Sequence, residues 1–234
     1  MEQILRREAV FQKINRVFMP VFTLIHIIWG FYFVWLGQPY YYILCFCAPL
    51  FLALPYGLFR LVHLRISHQV NLVIYLFVVL AYSIGLIAKA YSLVPYYDKV
   101  AHCLSGTFCT LLALLLFYLI KPNQRIERQD CTMATVFSLS VSIAVAGIWE
   151  MCEYAISLLF GNDPQNVLTT GVGDTMQDML VCTLGSLFLV ISILFYYCKG
   201  KTSFLMGAFE AFYQLNFGKD AKREHQPAEK RNKV

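Results

Sequence analysis

Three pairs of ionisable side chains stand at or inside the apolar stretches of this chain, and each pair has helical spacing. Asp98 and His102 are four residues apart, Glu150 and Glu153 three, and Asp174 and Asp178 four. Residues three or four apart share a helix face, so each helix can turn both members of its pair toward one point. If the three faces meet, five carboxylates and one imidazole converge. Like charges held together in a poorly solvated place cannot all stay ionised. Some carboxyls must then be protonated, or a cation must sit among them.

Oxygen donors with a single imidazole suit Mg, Mn, Zn or Fe, and the residue types do not choose sharply among them. The expected ligand set for a divalent metal ion is Asp98, His102, Glu150, Glu153, Asp174 and Asp178. Within it His102, Glu150 and Asp174 are the candidate catalytic groups, as ligand or general base. Lys89 and Lys99 are the basic side chains at the same level, and the candidate partners of an anionic head group. Paired carboxylates with a His on packed helices follow the logic of di-metal bundles, although the Glu-x-x-His repeat of those proteins is missing. Two other readings remain open: a cluster that handles protons or cations, and hydrogen-bonded polar groups that only hold helices together.

The elements that must position these residues are membrane helices. Of 234 residues, 59% are hydrophobic and 14% charged, against about 25% charged in an ordinary soluble domain. The apolar residues fall into six runs: Val17 to Gly37, Tyr41 to Val62, Val70 to Val94, Val100 to Ile120, Met133 to Phe160, and Gln177 to Cys198. Each approaches the roughly 20 residues that cross a bilayer as a helix, and a barrel strand would need only about 10 alternating ones. The fold class is therefore all-α, a polytopic integral membrane protein of about six transmembrane helices. Residues 1–16 form an amphipathic N-terminus, 17–198 the transmembrane domain, and 199–234 an interfacial segment followed by a basic, disordered tail.

Charge sets the orientation. With six crossings, 17 of the 19 Lys and Arg residues fall on one face, and only Lys89 and Lys99 on the other. By the positive-inside rule the rich face is cytoplasmic. Both termini are then cytoplasmic, and all three pairs lie toward the outer side of the plasma membrane. The first run is too long for a cleavable signal and reads as an uncleaved anchor. Trp29, Trp35 and Tyr40 to Tyr42 fit an outer aromatic belt.

Further features are weighed by the same physics. The polar loop from Gly161 to Gly173 joins Glu153 to Asp174 and is placed to act as a lid or as a plain connection. Gly106, Gly147 and Gly185 are expected to let the last three spans approach closely, with spans one to three as scaffold. None of the eight cysteines forms a Cys-x-x-Cys pair, so they read as small buried residues rather than metal or redox ligands. His26, alone in mid-span, reads as a packed or hydrogen-bonded histidine. No nucleotide-binding loop, serine elbow or zinc-protease helix occurs. The basic residues are explained by topology, so the partners are membrane lipids and not nucleic acid.

Tyr97-Asp98-Lys99-Val100-Ala101-His102 with Gly106, Trp149-Glu150-x-x-Glu153, and Gly173-Asp174-Thr175-x-x-Asp178-Met179 with Gly185 together resemble the YjdF family of predicted inner-membrane proteins. The likeness covers Tyr96 to Leu187. More broadly the chain is similar to VanZ-like membrane proteins, which share an Asp-Lys-x-x-His opening and later Glu and Asp helices. Gly171-Val172-Gly173-Asp174 departs from the Gln-Gly-Asp usual in the YjdF pattern. The resemblance implies a bacterial plasma-membrane protein connected with the cell envelope, and it supplies no activity. The expected function is a lipid- or envelope-directed membrane enzyme. The alternatives are an ion- or proton-coupled transporter, and a structural or regulatory protein without chemistry.

Overall fold

A computed structural model describes residues 2–161 and 163–218. Its described residues form helices and no strand: α1 (Glu2–Trp35), α2 (Pro39–Leu61), α3 (His68–Val78, continued as a π-helix over Val79–Ile87), α4 (Ala90–Leu93), α5 (Tyr97–Ile120), α6 (Asp130–Phe160), α7 (Val167–Thr170), α8 (Gly173–Lys199) and α9 (Phe204–Phe217). Six of them are long and apolar enough to cross a membrane: α1, α2, α3 with its π continuation, α5, α6 and α8. Large apolar side chains such as Leu24, Phe31, Leu50, Leu184 and Phe188 stand exposed along them. In water that surface would be a liability, whereas lipid covers it. The segment expected to form an amphipathic N-terminus is continuous with the first span in α1. The interfacial segment expected after residue 199 contains α9, and the basic tail from residue 219 lies outside the described residues.

The chain divides into two compact units, one drawn from residues 2–89 and 207–218, the other from 90–206. In the first, Phe22, Ala48, Leu52 and Tyr75 form a buried core, with Phe18, Met19 and Tyr82 packed against it. His26 is buried within this unit, 2.8 Å from the Phe22 carbonyl through Nδ1 and 2.9 Å from the Ser83 hydroxyl through Nε2. That geometry makes Nδ1 the donor to the carbonyl and Nε2 the acceptor from Ser83. It is the satisfied core histidine that its isolation in the sequence suggests. Helix α3 begins at an N-cap Ser67, whose hydroxyl accepts from the Val70 amide. Its first amides are also satisfied from α1, because the buried Glu8 carboxylate accepts from His68 N at 2.7 Å and Gln69 N at 3.2 Å. Free amides at a helix start carry partial positive charge, which an acid offsets. The Asn216 side chain on α9 brackets Arg65, accepting from its amide and donating to its carbonyl, both at 2.8 Å.

The second unit is built on a trio in which α5, α6 and α8 each touch the other two. Helices α5 and α8 run parallel, since Lys99 meets Asp174 and Asp178 at one end while Tyr118 meets Tyr197 at the other. Their closest approach is reciprocal. A Cβ on Gly106 would lie 1.9 Å from the Cys182 carbonyl oxygen, and one on Gly185 1.8 Å from that of Cys103. Only hydrogen in place of a side chain permits that contact. Hydroxyls fasten the crossing: Thr107 donates to Gly185 O at 2.8 Å, and Ser142 of α6 to Gly106 O at 3.1 Å. Gly147 behaves differently from the expectation, its nearest neighbour being the flexible Met179 methyl at 3.9 Å. An ordinary side-chain contact there does not require glycine.

At the far end of the trio the α5–α6 turn is closed by ions. Lys121 Nζ lies 2.7 Å from Asp130 and 3.1 Å from Glu127, and the Tyr118 hydroxyl donates to Asp130 at 3.0 Å. Partial burial works to lower the Lys121 pKa, but hydrogen bonds to Asp130 and Glu127 outweigh it and hold the group above its ordinary value. Glu127 is held below its own, first by the Gln129 side chain and then by Lys121.

Candidate functional site

The candidate site sits where the N-termini of α5 and α8 meet. A resident ammonium holds its centre. Lys99 Nζ donates to Asp174 Oδ1, and to Asp178 Oδ1 at 2.8 Å, with Asp98 Oδ2 at 3.6 Å. His102 Nε2 lies 3.6 Å from Asp98 Oδ1 and 3.9 Å from the same Asp178 Oδ1 that Lys99 uses. One ligand atom each from Asp98, His102 and Asp178 falls within 4.8 Å of the others, a set that can hold a metal ion. Their side chains grade from open to closed, with Asp98 38% exposed, His102 12% and Asp178 3%. Exposure therefore falls from Asp98 at the surface to Asp178 in the interior.

The helical spacing seen in the sequence explains this placement. Asp98 and His102 lie one turn apart on α5, as do Asp174 and Asp178 on α8, and the Gly106–Gly185 crossing below brings those two faces together. The third pair takes its hydrogen bonds from other partners, while Glu153 still feels the charges of Glu150, Asp98 and Asp178. Glu150 is buried and accepts from the Gln165 amide at 3.1 Å, while Gln165 also donates to the Glu150 carbonyl at 3.0 Å. Glu153 accepts from the Trp149 indole at 3.0 Å. Desolvation of the phenol first, then the charges of Asp98, Tyr97 and Glu153, push Tyr91 up to about 12. Asp98 and Glu153 thus both act electrostatically on the Tyr91 hydroxyl. Lys89, in the other unit, lies 4.4 Å over the Tyr41 ring.

Several participants were not singled out by residue type or spacing. Gln165, buried, reaches from the loop to Glu150, and Asn166 donates to Asp174 Oδ2 at 2.7 Å. The loop is itself ordered by Asp163, which accepts from the amides of Val167 and Leu168 at the start of α7. Amide side chains carry no periodicity, and the only signal was the polarity of the loop. Below the site, Ser105 meets Cys182, and Ser142 meets Ser186. Beyond these, fully buried Leu111, Leu114, Leu189 and Ile193, with the hydroxyls of Thr110 and Ser138, lie between this polar end and the Tyr118–Asp130 end.

Six apolar membrane-length helices, two of them carrying a partly buried Asp–Lys–His–Asp cluster at one end, define a polytopic helical membrane protein with a polar end-site. Residues 15–199 match the family described as predicted membrane protein (DUF2238), and the chain belongs to that family. No curated protein and no solved structure matches the chain.

Proposed function

We propose that the chain is a lipid-directed membrane enzyme of the bacterial plasma membrane whose Asp98–His102–Asp178 set holds a divalent metal ion. Both termini are cytoplasmic in this reading, and the site faces the outer side; the 17-to-2 distribution of basic residues supports this. The observation that carries the proposal is the set of three ligand atoms within 4.8 Å of one another, on two helices pinned by a glycine crossing. A bound divalent ion polarises a phosphoryl oxygen or lowers the pKa of a bound water. The chain's own groups then have distinct tasks. Asp98, His102 and Asp178 ligate, Asp174 anchors Lys99, and Glu150, held by Gln165, stands by as the buried carboxylate for proton transfer. Phosphate-bearing lipid head groups match a site opening at the end of apolar helices, and supply the class of substrate.

A charged cluster confined to one end of the helices favours an enzyme over a transporter. The layer of buried Leu111, Leu114, Leu189 and Ile193 is broken by the hydroxyls of Thr110 and Ser138, and among the described residues no charged side chain is buried there to carry an ion or proton onward. The test is a lipid profile of a deletion strain complemented with wild type or with His102→Ala. The reading expects the deletion and His102→Ala strains to accumulate the same lipid species, and wild type to clear it. Profiles identical in all three strains under envelope stress would overturn it.

A further inference from the structure

Lys99, which can be no metal ligand while protonated, stands at the centre of the site and occupies the cation's place. We infer that Lys99 is a built-in competitor for the divalent ion, filling the site while it is unloaded and retreating onto Asp174 when an ion binds. The inference rests on the metal reading above and concerns the regulation of that site.

Asp178 Oδ1 is the shared atom. It accepts from Lys99 at 2.8 Å and faces His102 Nε2 at 3.9 Å. A metal ion bound by both Asp178 and His102 lies about 2 Å from each ligand atom, within a few ångströms of any ammonium still on that oxygen. Two cations cannot share it cheaply. The ammonium has somewhere to go without leaving the site, because it already bonds Asp174 Oδ1, which is outside the Asp98–His102–Asp178 set. Asp174 is fixed for that duty by Asn166, which holds its second oxygen at 2.7 Å. Without an ion, the buried Asp174 and Asp178 need a countercharge, since an uncompensated buried carboxylate is strongly destabilising. Lys99 supplies it.

Charge balance selects the class of ion. The three aspartates in contact with Lys99 leave two negative charges after its ammonium is counted, and His102 ligates as the neutral imidazole. A divalent cation neutralises the loaded site, and a monovalent one does not.

The test is Mn²⁺ binding to the purified full-length protein in detergent, read by the free-Mn²⁺ signal in magnetic resonance. Wild type, Lys99→Met, Lys99→Arg and the double variant Lys99→Met/Asp174→Asn are compared, with His102→Gln and the distant Lys121→Met as controls. The double variant removes the ammonium together with one acid, so it keeps the charge balance if Lys99→Met alone folds poorly. The inference expects the Met variants to bind Mn²⁺ at least about tenfold more tightly, from loss of one nearby cation. Lys99→Arg and Lys121→Met should stay near wild type, and His102→Gln should lose binding. Equal or weaker binding by both Met variants, with wild type still binding through His102, overturns the competitor role and leaves the metal reading standing. Absence of Mn²⁺ binding in every variant overturns the metal reading itself, and the inference with it.

Discussion

Gly106 of α5 presses its backbone on the Cys182 carbonyl of α8, so closely that a Cβ there would stand 1.9 Å from the oxygen. This contact, with its reciprocal at Gly185 and Cys103, sets how near the two acid-bearing helix ends can come. Lys99 and His102 reach Asp178 only because the crossing lies one to two turns below them. Gly106→Ala and Gly185→Ala must each push the helices apart. The expected cost is about 1 to 3 kcal/mol, the usual range for overpacking, together with weakened metal binding. Gly147→Ala meets only the Met179 methyl at 3.9 Å and should leave the thermal midpoint in detergent within a degree or two. Equal destabilisation by all three alanines would contradict the account of the crossing.

Glu8 caps a helix to which it does not belong. Glu8→Ala removes the acceptor for two amides at the start of α3 and should lower stability by about 1 to 2 kcal/mol, as lost caps do. Glu8→Gln keeps one acceptor oxygen and should cost less. The comparison is made by thermal unfolding of the two variants, and a larger loss for Gln than for Ala would count against the capping role.

The ion network at the α5–α6 turn gives a pH signature of definite sign. Glu127 is depressed below its ordinary 4.5, so its contribution is present above that value and fades as pH falls through the folded-state pKa. Lys121 is raised above 10.5, so its contribution is present below that value and is lost as pH rises through its folded pKa. Wild type should therefore lose stability relative to Glu127→Gln on acidification below pH 4.5, and relative to Lys121→Met only above pH 10.5. Thermal midpoints measured across pH decide it. A gap between wild type and Glu127→Gln that widens in favour of wild type on acidification has the wrong sign.

The loop between α6 and α8 is tied down by two amide side chains. Gln165→Ala and Asn166→Ala remove the donors to Glu150 and Asp174. Amide hydrogen exchange over residues 167–171 should accelerate in both variants, while that of 106–114 in α5 stays protected. Unchanged exchange in the loop would mean that these bonds do not order it.

Much of this architecture was legible because hydrophobic runs and helical spacing are local properties. The six runs correspond to the six membrane-length helices, and the i, i+4 spacing placed Asp98 with His102 and Asp174 with Asp178 on common faces. Rotation about each helix axis is not local. It is fixed by Gly106, Gly185 and the hydroxyls of Thr107 and Ser142, and it brings Asp98 and His102 to Asp178, while Glu150 and Glu153 take hydrogen bonds from Gln165 and Trp149 and Glu153 stays within electrostatic reach of Asp98 and Asp178. The ends of runs were also blurred. The third apolar run extends to Val94, but its helix stops at Ile87 in a π-helical stretch, and Lys89 follows with a positive φ of 62°. A hydropathy pattern carries no trace of a backbone turn between equally apolar residues. Trans contacts such as Glu8 on α3, or Tyr118 with Asp130, join residues whose relation appears only after folding.

The central claim is that Asp98, His102 and Asp178 together hold one divalent ion. Electron spin-echo spectroscopy on the full-length protein loaded with one equivalent of Cu²⁺ or Mn²⁺ reads the ligands directly. The account predicts modulation from a single imidazole nitrogen in wild type, abolished in His102→Gln and retained in a variant of His63 or His68. Bound metal without nitrogen modulation, or modulation that survives His102→Gln, would contradict it.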